Sequence, residues 1–251
     1  MTVLILSPRY TEDSRILGIA ARSLGWQVKR LVNRHIPADL DPTDLVLYGE
    51  SFFVEYLAQE LKLTLAVPEP EFLVKLPDEL VKRKLKIIKR AAFTPLSTPT
   101  FVKVADIKSI AAKVYQPQEE ILGLESLPLD TPLLLAEPVF WEAEYRCFIR
   151  DGKLQAMSIY MVGGEPAVYG AERWTAASAT DDAAVEFVQK VLADKRVQLP
   201  MAVVIDIGLI EERGWSIVEA NPAWASGIYN CQPEGVLATL KAAVRADDQT
   251  A

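Results

Sequence analysis

The chain contains one histidine, His35, among 251 residues. A Ser-His-Asp or Cys-His enzyme would have to use it. It sits in the polar stretch NRHIPAD, where an exposed loop side chain is expected. A His-rich zinc site is excluded. Cysteine is almost as scarce. Cys147 and Cys231 are the only two, both in apolar surroundings. They make neither a disulfide framework nor a metal-ligand spacing, and buried thiols in a reducing compartment are expected. There is no basic excess: 27 Lys and Arg stand against 34 Asp and Glu, a net charge of −7. That disfavours a general binder of nucleic acid or anionic membrane, although a local basic patch is compatible with it. No apolar run approaches the ~20 residues of a membrane-spanning helix. The opening MTVLILSPRY has no basic stretch and an apolar run of only four residues, so it does not read as a signal peptide. A cytoplasmic protein is expected. What is abundant is apolar: 50% of residues, enough for a sizeable core in one large or two small domains.

The pattern along the chain begins with strands alternating with helices. Val3 to Leu6, Trp26 to Val32, Asp44 to Tyr48 and Leu63 to Val67 read as strands. Ser14 to Leu24 and Ser51 to Leu61 read as helices, the first stopping at Gly25. This is the signature of a small parallel α/β unit, but no G-x-G-x-x-G follows the first strand, so a dinucleotide fold is not supported. Leu76 to Phe93 reads as a helix with Asp78 as N-cap. Its basic run from Lys82 to Arg90 reads as a solvated face rather than a nucleic-acid patch. Phe101 to Val104 is a short strand carrying Lys103, and Val114-Tyr115 a partner for it. Pro132 to Ala136 is a buried strand. Glu144 to Ile149 and Leu154 to Tyr160 flank Asp151-Gly152, a type I′ hairpin signal. Pairs summing to 303 place Arg146 opposite Met157 and on the same face as Glu144. Asp181 to Leu192 and Glu234 to Arg245 read as amphipathic helices.

The densest chemistry lies in AVVIDIGLIEERGWSIVEANPAWASGIY, residues 202–229. Two apolar runs flank a polar turn that ends in Gly214, which makes a hairpin. With the loop centred between Glu212 and Arg213, partners sum to 425, so Leu209 faces Ser216 and Asp206 faces Glu219. Asn221 shares that face by alternation. Facing carboxylates repel. A hard divalent cation would relieve the repulsion, and Asp, Glu and Asn oxygens suit Mg²⁺. The same spacing also fits ordinary solvated charges.

In chain order, the Lys103 strand, the AEPV segment, the hairpin EYRCFIRDGKL and the DIG…VEANP hairpin resemble the ATP-grasp enzymes. The set is most similar to the compact clade named for an arginine and two lysines. The likeness covers roughly Leu76 to Ala246. It implies an α+β ATP-grasp fold preceded by a small α/β parallel-sheet domain. The expected divisions are an N-terminal domain at 1–75, an ATP-grasp N-lobe at 76–130 and a C-lobe at 131–251. By this resemblance ATP and Mg²⁺ are the cofactors, and Asp206, Glu219 and Asn221 are the metal ligands. Lys103 contacts the phosphates, with Lys108 a second candidate and Arg83 a further family arginine. Glu137 and Val139 lie at the inter-lobe hinge that reads adenine and ribose. Glu144 is counted with the nucleotide-binding residues. Arg146 faces the transferring phosphoryl group or a substrate carboxylate, where a planar cation suits either. Without the resemblance, Lys103 reads equally as a solvated edge lysine, the Glu137 segment as a strand-ending turn, and Arg146 as a partner of Glu144. One departure stands out: the strand AMSIYMV carries Ser158 and Tyr160 where many ATP-grasp enzymes carry a basic residue. The implied activity is amide-forming ligation of small-molecule or peptide carboxylates and amines through an acylphosphate. No nucleic-acid or membrane partner is implied. The alternatives are a phosphotransferase and a non-catalytic nucleotide-binding module. The loop from Pro222 to Asn230 is the expected acceptor site.

Overall fold

The computed structural model of the chain describes residues 1–31, 36–37, 40–104, 110–167 and 178–246. His35 and Lys108 lie outside these residues.

The chain opens with β1 (Val3–Leu6), α1 (Glu12–Ser23), β2 (Gln27–Arg30), β3 (Leu45–Tyr48), α2 (Ser51–Leu61) and β4 (Leu63–Leu65). The first three strands form a parallel sheet in the order β2-β1-β3. Both β1 and β3 are buried along their whole length, as uninterrupted apolar runs in a parallel sheet should be. Thr11 and Ser14 close a capping box at the start of α1, and Gly25 beyond its end takes φ +77.

Short helices α3 (Phe72–Lys75) and α4 (Asp78–Val81) lead into a four-stranded antiparallel lobe. Its strands are β5 (Leu85–Lys89), β6 (Thr100–Val104), β7 (Lys113–Tyr115) and β8 (Pro132–Ala136), in the order β5-β8-β6-β7. The helix expected over Leu76 to Phe93 is therefore corrected. It stops after one turn, because Lys82 takes a left-handed φ of 46°. Leu85 and Ile87 then alternate with exposed Lys86 on a strand paired with β8. Leu80, Leu85, Ile87 and Ile88 fit a helical spacing nearly as well as a strand, and only the pairing with β8 decides between them. Asp78 is the first residue of the short helix, and Pro77 is its cap.

The third unit is a five-stranded sheet in the order β11-β10-β9-β12-β13. Its strands are β9 (Trp141–Arg150), β10 (Lys153–Val162), β11 (Glu165–Pro166), β12 (Ala202–Ile210) and β13 (Gly214–Asn221). Helix α5 (Ser178–Ala193) covers one face, and α6 (Pro233–Ala242) lies on the other. The last strand, β14 (Val244–Ala246), pairs with β4, so β4 does not join the parallel sheet. Val204, Phe148, Trp224 and Leu237 belong to the same buried cluster as Leu4, Leu47 and Leu57 of the first unit. Val203, Ile205 and Ile207 point into a second cluster with Cys147 and Val188. The central strands β9 and β12 are thus buried on both faces. Among the described residues no helix is long and apolar enough to cross a membrane.

Asp151 (φ 50°) and Gly152 (φ 66°) make the expected type I′ turn between β9 and β10. The register departs from the expected sum. It slips at Gln155, so Arg146 faces Ser158 rather than Met157. A second slip between Ile159 and Met161 leaves Tyr160 outside the regular ladder. Helix α6 presses on the first bulge: a Cβ on Gly235 would come 2.3 Å from the Gln155 carbonyl oxygen.

Candidate active site

The site grows from the β12–β13 hairpin. Asp206 and Glu219 are cross-strand partners, as their spacing predicts, but two deviations compensate to make them so. The turn brings Ile210 opposite Gly214, one position tighter than a loop centred between Glu212 and Arg213. Glu212 (φ 61°) and Gly214 (φ 81°) supply the left-handed backbone that this requires. Leu209 therefore faces Trp215, not Ser216. A bulge at Val218 then restores the sum, giving Asp206–Glu219 and Val204–Asn221. Asp206 itself is closed to solvent. Asp206 is 0% exposed, and the Trp141 ring lies over Gly208, where a Cβ would come within 2.5 Å of it.

Facing carboxylates are neutralised by cations from two lobes. Arg146, on neighbouring β9, grips Asp206 through two hydrogen bonds, Nε to Oδ1 at 2.9 Å and Nη2 to Oδ2 at 2.7 Å. Its Nη1 donates to the Gly227 carbonyl at 2.9 Å. The partner of Arg146 is thus Asp206 rather than Glu144. Lys103, on β6 of the other lobe, donates to Glu219 Oε2 at 2.7 Å. Asn221 Nδ2 donates to Glu219 Oε1, also at 2.7 Å. Burial opposes ionisation of Glu219, but Lys103 and Asn221 outweigh it and hold its carboxyl down at about 2. Complete burial pushes Asp206 up to about 6 against the pull of Arg146, with Glu219 adding to the rise.

Aromatic rings frame the arginine. Tyr160 and Tyr229 stack with centroids 4.8 Å apart. The Arg146 guanidinium carbon lies 5.4 Å and 4.6 Å from their centroids. Tyr229 holds a left-handed φ of 48°, an uncommon conformation for an aromatic residue. The Tyr160 hydroxyl donates to Glu144 Oε2 at 3.0 Å. Glu144 is pushed up to about 6, first by burial and then by the nearby Asp206 and Glu219 charges.

The remaining expected residues sit where the end of β8 meets the tip of the β12–β13 hairpin. Arg83 is not on a helix face. Its Nη1 donates to the Ile217 carbonyl and Nη2 to the Val218 carbonyl, both at 2.8 Å, and the guanidinium stacks 5.0 Å from the Trp141 ring centre. Burial pulls it down to about 10. It thus clamps the bulge that sets the Asp206–Glu219 register. The Glu137 carboxylate bridges the Arg213 guanidinium at 2.7 Å and the Lys84 N–H at 3.1 Å, which hold it down at about 2. These bonds tie the end of β8 to the hairpin tip. Val139 is partly buried two residues beyond. A cavity of about 420 Å³ opens beside this junction, lined by Leu73, Leu76, Arg83, Leu85, Glu137 and Arg213 among others. The Lys82-to-Arg90 run is not one basic face: Lys82 Nζ donates to the Arg213 carbonyl, Arg83 is inside, and Arg90 pairs with Glu125.

One residue at the site carried no signal in the sequence. Asp13, on α1, accepts from the Ile228 N–H at 3.0 Å, across 215 residues of chain. Nothing in its local pattern distinguishes it from Glu12 beside it.

Residues 80–239, more than half of the chain, match an ATP-grasp domain family, the second family of the clade named for an arginine and two lysines. The chain belongs to that family. ATP-grasp folds are also found among solved structures similar to the whole chain. A D-alanine–D-alanine ligase from Bacillus anthracis is 10% identical, with 96% of each chain covered and a TM-score of 0.57. The D-cycloserine synthetase DcsG is 14% identical, with 96% of this chain and 98% of that one covered and a TM-score of 0.57. An ATP-grasp RimK domain protein from Sphaerobacter thermophilus is 13% identical over the same shares, with a TM-score of 0.52. No curated protein matches by sequence. These ATP-grasp relatives share the fold of this chain, including the small domain in front of the family match.

Proposed function

We propose that this ATP-grasp protein is an ATP- and Mg²⁺-dependent carboxylate–amine ligase acting through an acylphosphate. The observation that carries the reading is the convergence of Lys103 from one lobe and Arg146 from the other on facing carboxylates, Asp206 and Glu219. The two neighbours titled as a ligase and a synthetase support the reaction class.

The donor set fits a magnesium ion. Asp206, Glu219 and Asn221 offer hard oxygens on alternate rungs of one hairpin. Among the described residues, no group of three or more His, Cys, Asp or Glu side chains gathers at metal spacing. Mg²⁺ takes one or two carboxylates and completes its shell with phosphate and water. When bound, the ion would offset the negative charge of nucleotide phosphates. The chain's own residues do the rest. Lys103 supplies a mobile point charge for phosphate oxygens, which compete with Glu219 for it. Arg146 has its Nε and Nη2 committed to Asp206 and is oriented rather than free to swing, so its positive field is preset beside the reacting carboxylate. Glu137 and Arg213 fix the hinge that bounds the base end. No side-chain nucleophile is required, in keeping with the single histidine.

The test is Mg·ATP turnover against pooled carboxylates and amines, with Asp206→Asn and Glu219→Gln as controls. The expected products are ADP, phosphate and an amide, with both variants inactive. A phosphorylated product without free phosphate would instead assign a phosphotransferase. Equal ATP hydrolysis by all three proteins in every pool would remove the catalytic assignment.

A further inference from the structure

The parallel sheet of the first unit points its carboxyl edge at the arginine. Ser7 follows β1, Arg30 ends β2 and Tyr48 ends β3. In open α/β sheets this edge is where functional groups collect. Here the edge is cross-linked by one arginine. Arg30 Nη1 donates to the carbonyls of Ser7 at 2.6 Å and Arg9 at 2.8 Å, and its Nη2 to the Ser14 hydroxyl at 2.8 Å. The β1–α1 loop is thereby fixed from below, and Asp13 with it. Asp13 Oδ2 accepts from the Ile228 N–H at 3.0 Å. The Tyr48 hydroxyl lies 3.2 Å from the same oxygen and 3.1 Å from the Ser226 carbonyl, sharing its proton between them. Both contacts fall on the loop whose Gly227 carbonyl accepts from Arg146 Nη1. Gly227 itself lies between the two charges: a Cβ there would make ordinary van der Waals contact, 3.5 Å from Asp13 Oδ2 and 3.6 Å from Arg146 Nη1. The loop is also pinned further back by the Gly49 N–H on the Trp224 carbonyl at 3.1 Å.

We propose that Asp13 is a positioning residue: it fixes the 226–228 backbone, and through the Gly227 carbonyl it sets the orientation of Arg146 against Asp206. The inference rests on the site role proposed for Arg146, but its physical content is separable from catalysis. A carboxylate on a helix start holds a backbone N–H. That backbone holds a guanidinium, and the guanidinium holds the buried acid of the hairpin. A mobile 226–228 loop would leave one edge of the guanidinium unsupported, since two of its nitrogens reach Asp206 and the third reaches this loop.

The test reads Arg146 directly, in the full chain without nucleotide. The Nε–H of Arg146 is followed by ¹H–¹⁵N correlation NMR, assigned by its disappearance in Arg146→Lys. In Asp13→Ala, hydrogen exchange at that Nε–H rises at least tenfold and its shift moves. In Asp13→Asn, which keeps an acceptor oxygen for the Ile228 N–H, both stay close to wild type. Tyr48→Phe keeps Asp13 and its bond to Ile228, gives a smaller rise in the same direction, and stands in if Asp13→Ala does not fold. An unchanged Nε–H in Asp13→Ala, an equal rise in Asp13→Asn, or a wild-type value in Tyr48→Phe overturns the proposal. A merely structural role would lower the melting temperature and leave this signal alone. In turnover assays Asp13→Ala lowers kcat about tenfold with KM for ATP unchanged, because the residue acts on the reacting end of the cleft. If wild type neither binds nor turns over Mg·ATP, the ligase reading falls while the NMR outcome still decides the role of Asp13.

Discussion

The two lobes that meet at the candidate site are built differently. The lobe of β9 to β13 has central strands buried on both faces and contributes Arg146, Asp206, Glu219 and Asn221 from three hydrogen-bonded neighbouring strands. The lobe of β5 to β8 has a smaller core around Val102, Leu133 and Leu135 and places Lys103 on the Asp206–Glu219 pair. In the first lobe the charges belong to the framework, because Arg146 and Asp206 are buried and satisfy each other. In the second the charge is delivered across a gap by a flexible stem. Electrostatic preorganisation therefore resides on one side and adjustability on the other. A cleft that must admit and release a nucleotide needs both.

That contrast is easiest to break at Asp206. In Asp206→Ala the Arg146 guanidinium stays buried beside Gly227 and two tyrosines without a carboxylate. Unpaired buried charge of this kind costs about 3–5 kcal/mol. Urea unfolding should show that loss, and a loss below about 1 kcal/mol would mean that the pair is not part of the framework.

A middle-sized effect comes from Glu144. Its carboxyl rises from an ordinary 4.5 to about 6 on folding, so the folded state binds more protons than the unfolded one between those values. Stability contributed there is present at low pH and is lost as pH rises through that window, amounting to about 2 kcal/mol at neutral pH. Glu144→Gln should remove this part of the slope and raise the neutral-pH urea midpoint. Asp206 shifts in the same direction, so the informative quantity is the difference between variant and wild type across pH 4.5 to 7. Parallel curves would assign the slope elsewhere.

The smallest stability effect belongs to Lys103. Its ion pair with Glu219 is partly exposed on both sides, and Lys103→Met should cost no more than about 1 kcal/mol. Titration calorimetry should nevertheless show Mg·ATP affinity falling about tenfold or more, a factor that corresponds to about 1.4 kcal/mol. A large stability loss with intact nucleotide affinity would place Lys103 in the framework and reverse the comparison.

Much of this arrangement was legible in the residues alone. The apolar strands β1, β3, β8 and β12 and the Asp151-Gly152 turn follow from patterns within a few positions, and the Asp206–Glu219 pairing agrees with its spacing only because a bulge offsets a tighter turn. The helix expected over Leu76 to Phe93 failed because a short apolar stretch satisfies both periods until a partner strand chooses one. The Arg146–Met157 pairing failed because a bulge at Gln155 answers to α6 packing from the far end of the chain.

What the sequence by itself determined is the inventory: acids on the two strands of one hairpin, a lysine and an arginine in the right order, and no histidine machinery. Local spacing suffices for that, because alternation and turn chemistry act over a handful of residues. The tertiary structure alone decided who neutralises whom. Arg146 chose Asp206 over Glu144, Glu137 turned to Arg213, and Asp13 reached a loop 215 residues away. For Asp206 and Arg146, burial makes an unpartnered charge too costly to leave alone, and in every case the partner is set by which strands and loops the packed core brings within hydrogen-bond distance.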